Sequence, residues 1–494
     1  MNRRAISGII GKILCVEAFF MLPALFVSAY YGEGGIAMSF ALSMLIIFFV
    51  SAVCTNLRPK ITGFYAMEGF AAAGLAWIMV SLAGALPFFL SGTIPNFINC
   101  IFETVSGFST TGASIISDVE ALPKGILYWR SFTHWLGGMG VLVFILAFAS
   151  LEGKNSGESI FLLRAESPGV KISKLVPRMK SSASILYKIY IALSLIQFVF
   201  LIAGSVPVFD AVNIVFSTAG TGGFGIKNDS IMSYNTYTQW VTAVFMLLFG
   251  MNFNVFYLLL IRSFRKAFKN EELRIYLIIT ILAAVFIAIN TASIFENSIE
   301  AVRTVSFEVV SVITTTGFFV SDYNSWPQFS RVIIFLLMFV GGCAGSTSGG
   351  AKVVRISLMF KSARRTIYKA INPNAVKLVH MEGEVVTDDT VESVHGYMML
   401  YFLIIAVATA LVSLNGLDLE TTFTSVIACI NNIGPGLGGV GPTQNYEHFS
   451  YFSKIVLSLV MLIGRLEFFP IMALFTSEMW MHRGKARSRD FQRG

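Results

Sequence analysis

The chain has 494 residues, of which 55% are hydrophobic and only 13% charged, with a formal net charge of +8 and a mean hydropathy of +0.72. A soluble globular protein carries about 25% charged residues, so too few charges are present to cover a water-facing surface, and much of the exterior has to meet lipid. An ordinary soluble enzyme is excluded. Five scattered cysteines, with no CxxC and no histidine at ligand spacing, argue against zinc, haem attachment or a disulfide framework.

A spanning helix needs about 20 residues with few charges. Eight stretches carry none: 34–57, 69–102, 131–151, 189–209, 230–261, 275–295, 332–351 and 393–417. A ninth, 10–31, is apolar apart from Lys12 and Glu17, and a tenth, 453–480, is interrupted by Arg465 and Glu467. The N-terminal run reads as a retained first helix and not a signal peptide, because a second apolar run follows within a few residues. Ten spans put both termini on one side. Counted over alternate loops, Lys and Arg divide 29 to 6, which places both termini in the cytoplasm. The positive charge is thus a topology signal; spread over six loops without a reader motif, it is no nucleic-acid footprint.

The outward loops carry a repeat. Four of them, at about 91–127, 205–237, 293–330 and 415–452, each hold an apolar segment too short to cross and return, ending in a Thr/Gly-rich turn. The turns read Phe-Ser-Thr-Thr-Gly-Ala-Ser (108–114), Thr-Ala-Gly-Thr-Gly-Gly-Phe-Gly (218–225), Ile-Thr-Thr-Thr-Gly-Phe (313–318) and Asn-Asn-Ile-Gly-Pro-Gly-Leu-Gly (431–438). They superpose as Thr110-Thr111-Gly112, Thr221-Gly222-Gly223, Thr315-Thr316-Gly317 and Asn432-Ile433-Gly434, and Phe102-Glu103 and Phe307-Glu308 recur at one offset before the first and third. Each unit reads as span, half-helix, glycine turn, span.

Irregular backbone at membrane depth is tolerated only where it is buried or lines a water-filled cavity. Four glycine turns converging on one axis can point carbonyls inward as a ring that replaces a cation's water shell. The negative C-terminal end of each half-helix favours a cation there. The competing reading is a set of ordinary helix C-caps, for which glycine is also the default.

These turns, together with Gly-Gly-Cys-Ala-Gly-Ser-Thr-Ser-Gly-Gly-Ala-Lys-Val-Val-Arg (341–355) and Ile-Gly-Arg-Leu-Glu-Phe-Phe (463–469), resemble the Trk/Ktr/HKT superfamily of potassium transporters over essentially the whole chain. The segment 164–178, Arg-Ala-Glu-Ser-Pro-Gly-Val-Lys-Ile-Ser-Lys-Leu-Val-Pro-Arg, and two extra N-terminal helices are closer to the Trk branch, with its TrkH-type membrane subunits, than to the Ktr branch. The resemblance implies selective K⁺ permeation, a homodimer in a bacterial inner membrane, and a cytosolic TrkA-type regulatory ring. K⁺ is then the transported ion at the filter residues, no cofactor is bound by this chain, and a nucleotide is expected on the partner only. In plant relatives a serine in the first copy accompanies Na⁺ preference, so Gly112 resembles the K⁺-selective pattern. The fourth copy departs from Thr-x-Gly, as the family's fourth repeat does.

Below the filter, residues 341–350 hold five glycines and three Ser/Thr, each glycine costing a helix about 1 kcal/mol. The span has to break there. A Walker-type loop is disfavoured because Gx4GK[ST] is absent. The segment reads as a gate formed by Gly341, Gly342, Gly345, Ser346, Thr347, Ser348, Gly349 and Gly350 with Lys352 and Arg465, the alternative being tight packing through small residues. Arg465 at mid-span costs roughly 2.5–3.5 kcal/mol, so it is expected to face the pore or to pair with a carboxylate such as Glu467. His134 reads as an interfacial anchor beside Trp129, Arg130 and Trp135, and Glu103 and Glu308 as scaffolding that binds backbone amides.

The expected fold is an all-α integral membrane protein with ten spanning helices plus four re-entrant pore half-helices, arranged as four pseudo-symmetric helix–pore-loop–helix repeats with two extra N-terminal helices. Its units are 1–60 (accessory helices), 61–152 (repeat 1), 153–262 (repeat 2), 263–372 (repeat 3, with the glycine loop) and 373–494 (repeat 4 and tail). The expected function is K⁺ uptake through a channel-like pore; an H⁺- or Na⁺-coupled symporter is the alternative. A membrane enzyme is disfavoured because no span brings a Ser/His pair to an oxyanion motif.

Overall fold

The computed structural model describes residues 3–56, 66–138, 140 and 179–474. The segment 164–178, residues 58–60, the second half of the expected span 131–151 and the C-terminal tail lie outside the described residues.

Apolar runs become helices because lipid leaves the backbone no partner but itself. Among the described residues, Arg3–Tyr30, Gly34–Asn56, Gly69–Leu90, Ser184–Ala203, Glu271–Thr291 and Asp388–Asn415 are long and apolar enough to cross a membrane. Their exposed faces carry Phe49, Leu195, Ile289 and Met399, as lipid contact requires. The first of them is two helices, Arg3–Phe20 and Leu22–Tyr30, with Pro23 in the opening turn of the second, where its missing N–H would have had no intrahelical partner anyway.

The N-terminal helices are tied to each other and to the helix Lys124–Gly138. Gly11 lets helix Arg3–Phe20 press against Gly34–Asn56, with the Ser51 hydroxyl donating to the Gly11 carbonyl at 2.7 Å. At the outer end, the Glu33 carboxylate accepts from the backbone N–H groups of Lys124 (2.7 Å) and Gly125 (3.0 Å). It thereby caps the helix Lys124–Gly138 from 91 residues away, and its negative charge suits the positive helix start.

Four short helices, Phe97–Phe108, Val208–Ala219, Ser298–Ile313 and Leu419–Ile430, occupy the expected half-helix positions. Asn96, Asn297 and Asp418 cap three of them by accepting from backbone amides at 2.9–3.0 Å, and Pro207 opens the other. Short polar side chains and proline are what helix starts favour.

Two expectations need correction. Residues 230–261 do not form one continuous span: Thr236–Phe249 and Phe253–Leu260 meet at 92°. A break was expected only in the third repeat, where Gln328–Met338 indeed ends, yet Tyr451–Arg465 also stops early, and the fourth-repeat chain turns through Glu467 and Phe468 at φ 51° and 73°. The cause is close packing on the half-helices. A Cβ on Gly137 would collide with the Phe108 carbonyl, one on Gly464 with the Ile430 carbonyl, and one on Gly250 would lie 2.8 Å from Thr314. The fold is also not purely α, since Val379–Met381 pairs antiparallel with Glu384–Val386. This hairpin packs on helix Val353–Ile371 through Val379 and Met381 and is held to it by Lys361, which donates to the His380 carbonyl at 2.8 Å.

Replacing Gly11 by alanine tests the accessory packing. The added Cβ would meet Thr55 at 2.8 Å, and Cys54 and the Ser51 carbonyl at 2.9 Å. A loss of about 1–3 kcal/mol is expected, read as a lower unfolding midpoint of the protein in detergent. A substitution of outward-facing Gly8, which meets nothing within 4 Å, leaves the midpoint unchanged.

Candidate functional site

The four half-helices end identically. Two residues past each last helical residue stands Thr110, Thr221, Thr315 or Asn432, with φ of 56°, 54°, 56° and 54°. Its N–H returns to the helix, as in Thr110 to Gly107 (3.0 Å), and the following N–H reaches one residue further back, as in Thr111 to Ser106 (2.9 Å). The pairs Thr221–Thr218 and Gly222–Ser217, Thr315–Val312 and Thr316–Ser311, and Asn432–Cys429 and Ile433–Ala428 repeat the pattern. This is a Schellman ending with threonine or asparagine where glycine is usual. A β-branched residue at positive φ is strained, at a cost of about 1–3 kcal/mol. Asparagine tolerates it better, so the fourth copy departs in sequence but not in backbone.

Two residues later come Gly112, Gly223, Gly317 and Gly434 at φ 81°, 75°, 82° and 93°. They form a closed ring. A Cβ on Gly112 would strike the Gly222 carbonyl oxygen, one on Gly223 the Thr316 oxygen, and one on Gly317 the Ile433 oxygen, while one on Gly434 would sit 2.7 Å from the Thr111 oxygen. Each glycine therefore abuts the carbonyl that precedes the glycine of the next copy, and the fourth abuts the first. Two N–H groups of each turn are spent on its helix, and the carbonyls of Thr111, Gly222, Thr316 and Ile433 face the glycines of neighbouring copies. Above lies a cavity of about 120 Å³ bordered by Gly112, Gly223, Gly317 and Gly434. Each turn thus combines a helix cap at its Thr or Asn with a ring-closing glycine two residues on.

Side chains brace the ring from behind. Glu103 accepts from the Ile115 N–H and the Ser114 hydroxyl at 3.0 Å and from Arg130 Nε at 2.6 Å. Glu308 accepts from the N–H groups of Val320 (2.7 Å) and Ser321 (2.9 Å). Both act as the expected scaffolding. The Tyr446 hydroxyl donates to the Gly434 carbonyl at 2.7 Å, and the Asn432 amide to the Thr111 hydroxyl at 2.9 Å.

His134 is not an interfacial anchor. With Trp129 it is fully buried, and Arg130 nearly so, because the helix starts at Lys124 and carries position 134 deep into the protein. Its ring stacks on Phe224 at 4.1 Å and fills the space beside Gly222.

The gate residues form an irregular stretch between Gln328–Met338 and Val353–Ile371, with Gly341, Gly345 and Gly350 at positive φ. The stretch is pinned from several repeats. The Cys343 N–H donates to the Gly250 carbonyl (3.0 Å) and the Phe253 N–H to the Gly345 carbonyl (3.1 Å). The Thr347 hydroxyl donates to the Phe249 carbonyl (3.2 Å), and the Gly349 N–H to the hydroxyl of Thr315 in the third turn (2.7 Å). A Cβ on Gly349 would strike the Asn431 carbonyl, so the loop lies directly against the third and fourth turns. A Cβ on Gly342 would lie 2.7 Å from the Ser348 Cβ, and the Ser346 hydroxyl donates to the Cys343 carbonyl at 2.6 Å.

Arg465 donates to the carbonyls of Thr347 and Gly138, each at 2.8 Å, and to that of Gly137. The Glu467 carboxylate is taken by Arg355, whose guanidinium lies 3.9 Å over the Tyr397 ring. Lys352 is buried and donates to the Ser348 carbonyl. Sequence reasoning missed Glu272, which accepts from the Ala344 N–H at 2.6 Å. Its signal was a second acid at the start of a span, easily read as surface charge.

The sequence profile of the TrkH family, described as a cation transport protein, matches residues 36–483. The Trk system potassium uptake protein TrkH of Salmonella typhimurium is 32% identical over 489 residues, covering 97% of this chain and all of that protein. TrkG of Escherichia coli, also a Trk system potassium uptake protein, is 31% identical over 97% of the chain and 98% of its own length. The crystal structure of the potassium transporter TrkH from Vibrio parahaemolyticus superposes with a TM-score of 0.86 at 30% identity, over 97% of this chain and 100% of that one. A mostly helical, multi-pass membrane protein with these relatives is a transport protein and not an enzyme: the chain belongs to the TrkH family.

Proposed function

We propose that this chain is the K⁺-conducting subunit of a Trk uptake system in a bacterial inner membrane, with ten spans, four re-entrant half-helices and both termini cytoplasmic. The observation that carries it is the closed ring in which Gly112, Gly223, Gly317 and Gly434, all at positive φ, each abut the carbonyl of the next copy. Carbonyls of Thr110, Thr111, Thr221, Gly222, Thr315, Thr316, Asn432 and Ile433 replace water around K⁺ there, and the half-helix ends add negative potential. The four pore repeats are 61–152, 153–262, 263–372 and 373–494, behind accessory helices in 1–60. The protein works as a homodimer with a cytosolic TrkA-type ring that carries the nucleotide.

The loop 341–350 closes the path below the filter. Arg465 adds a fixed positive charge beside it, and its bonds to Thr347, Gly137 and Gly138 span two repeats. The ring pulls on helix Val353–Ile371 and shifts the loop by its differential affinity for the two arrangements.

The filter is tested by Gly112→Ser and by Gly223→Ala, Gly317→Ala and Gly434→Ala. Each adds a Cβ against a neighbouring carbonyl at positive φ. The K⁺/Na⁺ permeability ratio in liposomes falls by about tenfold or more, as about 1.4 kcal/mol of lost discrimination gives. Unchanged ratios in all four would remove the filter assignment.

The gate is tested by deleting 345–349 and, separately, by Arg465→Ala. The deletion gives high K⁺ flux independent of ring and nucleotide, and the alanine variant a raised rate with the ring absent. A folded deletion protein that stays shut until ring and nucleotide are added would show that the gate lies elsewhere.

A further inference from the structure

The first and third copies place a glutamate at the same point of the half-helix, five residues before its end, yet give it opposite electrostatic settings. Glu103 faces a cation. Arg130 Nε sits 2.6 Å away and its Nη1 donates on to the Gly225 carbonyl at 2.9 Å, while the guanidinium lies 3.5 Å over the Phe224 ring. A charged carboxylate is accommodated there because its partner is buried with it.

Glu308 has no such partner. It is fully buried; Oε1 accepts both amides of the return strand, whereas Oε2 has no hydrogen-bond partner. The charged side chain acting on it is Asp322, which is of like sign, and the buried, partnerless Tyr323 phenol feels both acids. Neighbouring cations are engaged elsewhere: Arg331 with Glu420, and Arg303 with Glu300 and Thr236. The packed helix Thr236–Phe249 contributes no charged residue, and Glu272, at the inner end of Glu271–Thr291, is committed to Ala344.

A buried carboxylate with no counter-charge beside a second acid is disfavoured against the neutral acid. We infer that Glu308 is a proton-binding positioning residue: as a neutral acid, with the proton on Oε2, it splints the return strand of the third filter turn through Oε1. The inference rests on the proposed filter. Ionisation would place an uncompensated charge behind the Thr315–Gly317 turn and loosen its register, whereas the first turn, neutralised by Arg130, would not respond.

The test uses full-length protein. Infrared spectra of the wild type at neutral pH are compared with Glu308→Gln, whose amide mimics the neutral acid. The wild-type-minus-variant difference spectrum is expected to show one carbonyl stretch of a protonated carboxylic acid, over any band of the buried, unpartnered Glu17 that both proteins share. In liposomes, wild-type K⁺/Na⁺ selectivity is expected to fall several-fold as the medium is raised toward about pH 9, in the range where buried glutamates ionise. Glu308→Gln keeps the neutral-pH ratio throughout, and Glu103→Gln, which strands Arg130, loses flux at every pH. If Glu308→Gln does not fold, Glu308→Asp serves instead, with the acid band shifted and not lost. Absence of the acid band from the difference spectrum, or a wild-type selectivity independent of pH, would overturn the inference. Failure of the filter reading itself shows separately, in the glycine variants.

Discussion

Broken backbone inside a membrane has to find its hydrogen-bond partners within the protein, since lipid supplies none. Four times in this chain a short helix ends inside the protein, and four times the same solution appears: two N–H groups fold back on the helix carbonyls through a left-handed Thr or Asn. The left-handed glycines that follow let each turn abut a carbonyl of the next, which closes the ring. The strain of three threonines at positive φ is carried by the packing around them, and all three are fully buried.

The same constraint explains why the second helix of several repeats stops short. Glycines at 137, 250 and 464 let helix backbone come up to the end of a half-helix, where a side chain would strike Phe108, Thr314 or Ile430. Having ended early, these helices leave carbonyls at Gly137, Gly138 and Phe249 that need donors. Arg465 and Thr347 supply them. The loop 341–350 is therefore held by groups from the second, third and fourth repeats, among them Phe249, Thr315, Glu272 and Arg465. Any shift of the loop must exchange these bonds together, which favours two discrete arrangements over a gradual one.

Pseudo-symmetry is strict in backbone and loose in chemistry. The outer return strands are braced by Glu103 with Arg130, by Ser217 to the Phe224 carbonyl at 2.8 Å, by Glu308 alone, and by Thr424 with Leu437 at 3.0 Å. A filter needs four equivalent carbonyl positions, whereas the supports behind it need only satisfy the local polar groups. Differences between repeats accumulate there.

Residues alone determined the membrane class, the repeat and the four glycine turns, because hydropathy and Gly/Thr spacing are local properties written in consecutive residues. They also fixed Glu103 and Glu308 as braces, since one offset recurred. Tertiary structure decided what depends on neighbours remote in sequence. His134 looked like an anchor beside two tryptophans, but the helix start at Lys124, capped by Glu33, carries it inside. Glu467 looked like a partner for Arg465 two residues away, but the chain reverses at Glu467 and Phe468, so the carboxylate meets Arg355 and the guanidinium meets carbonyls of Gly137, Gly138 and Thr347. The charge state around each buried acid was equally beyond a linear reading: whether a glutamate in a half-helix finds an arginine depends on which helix packs behind it, and only the folded chain sets that.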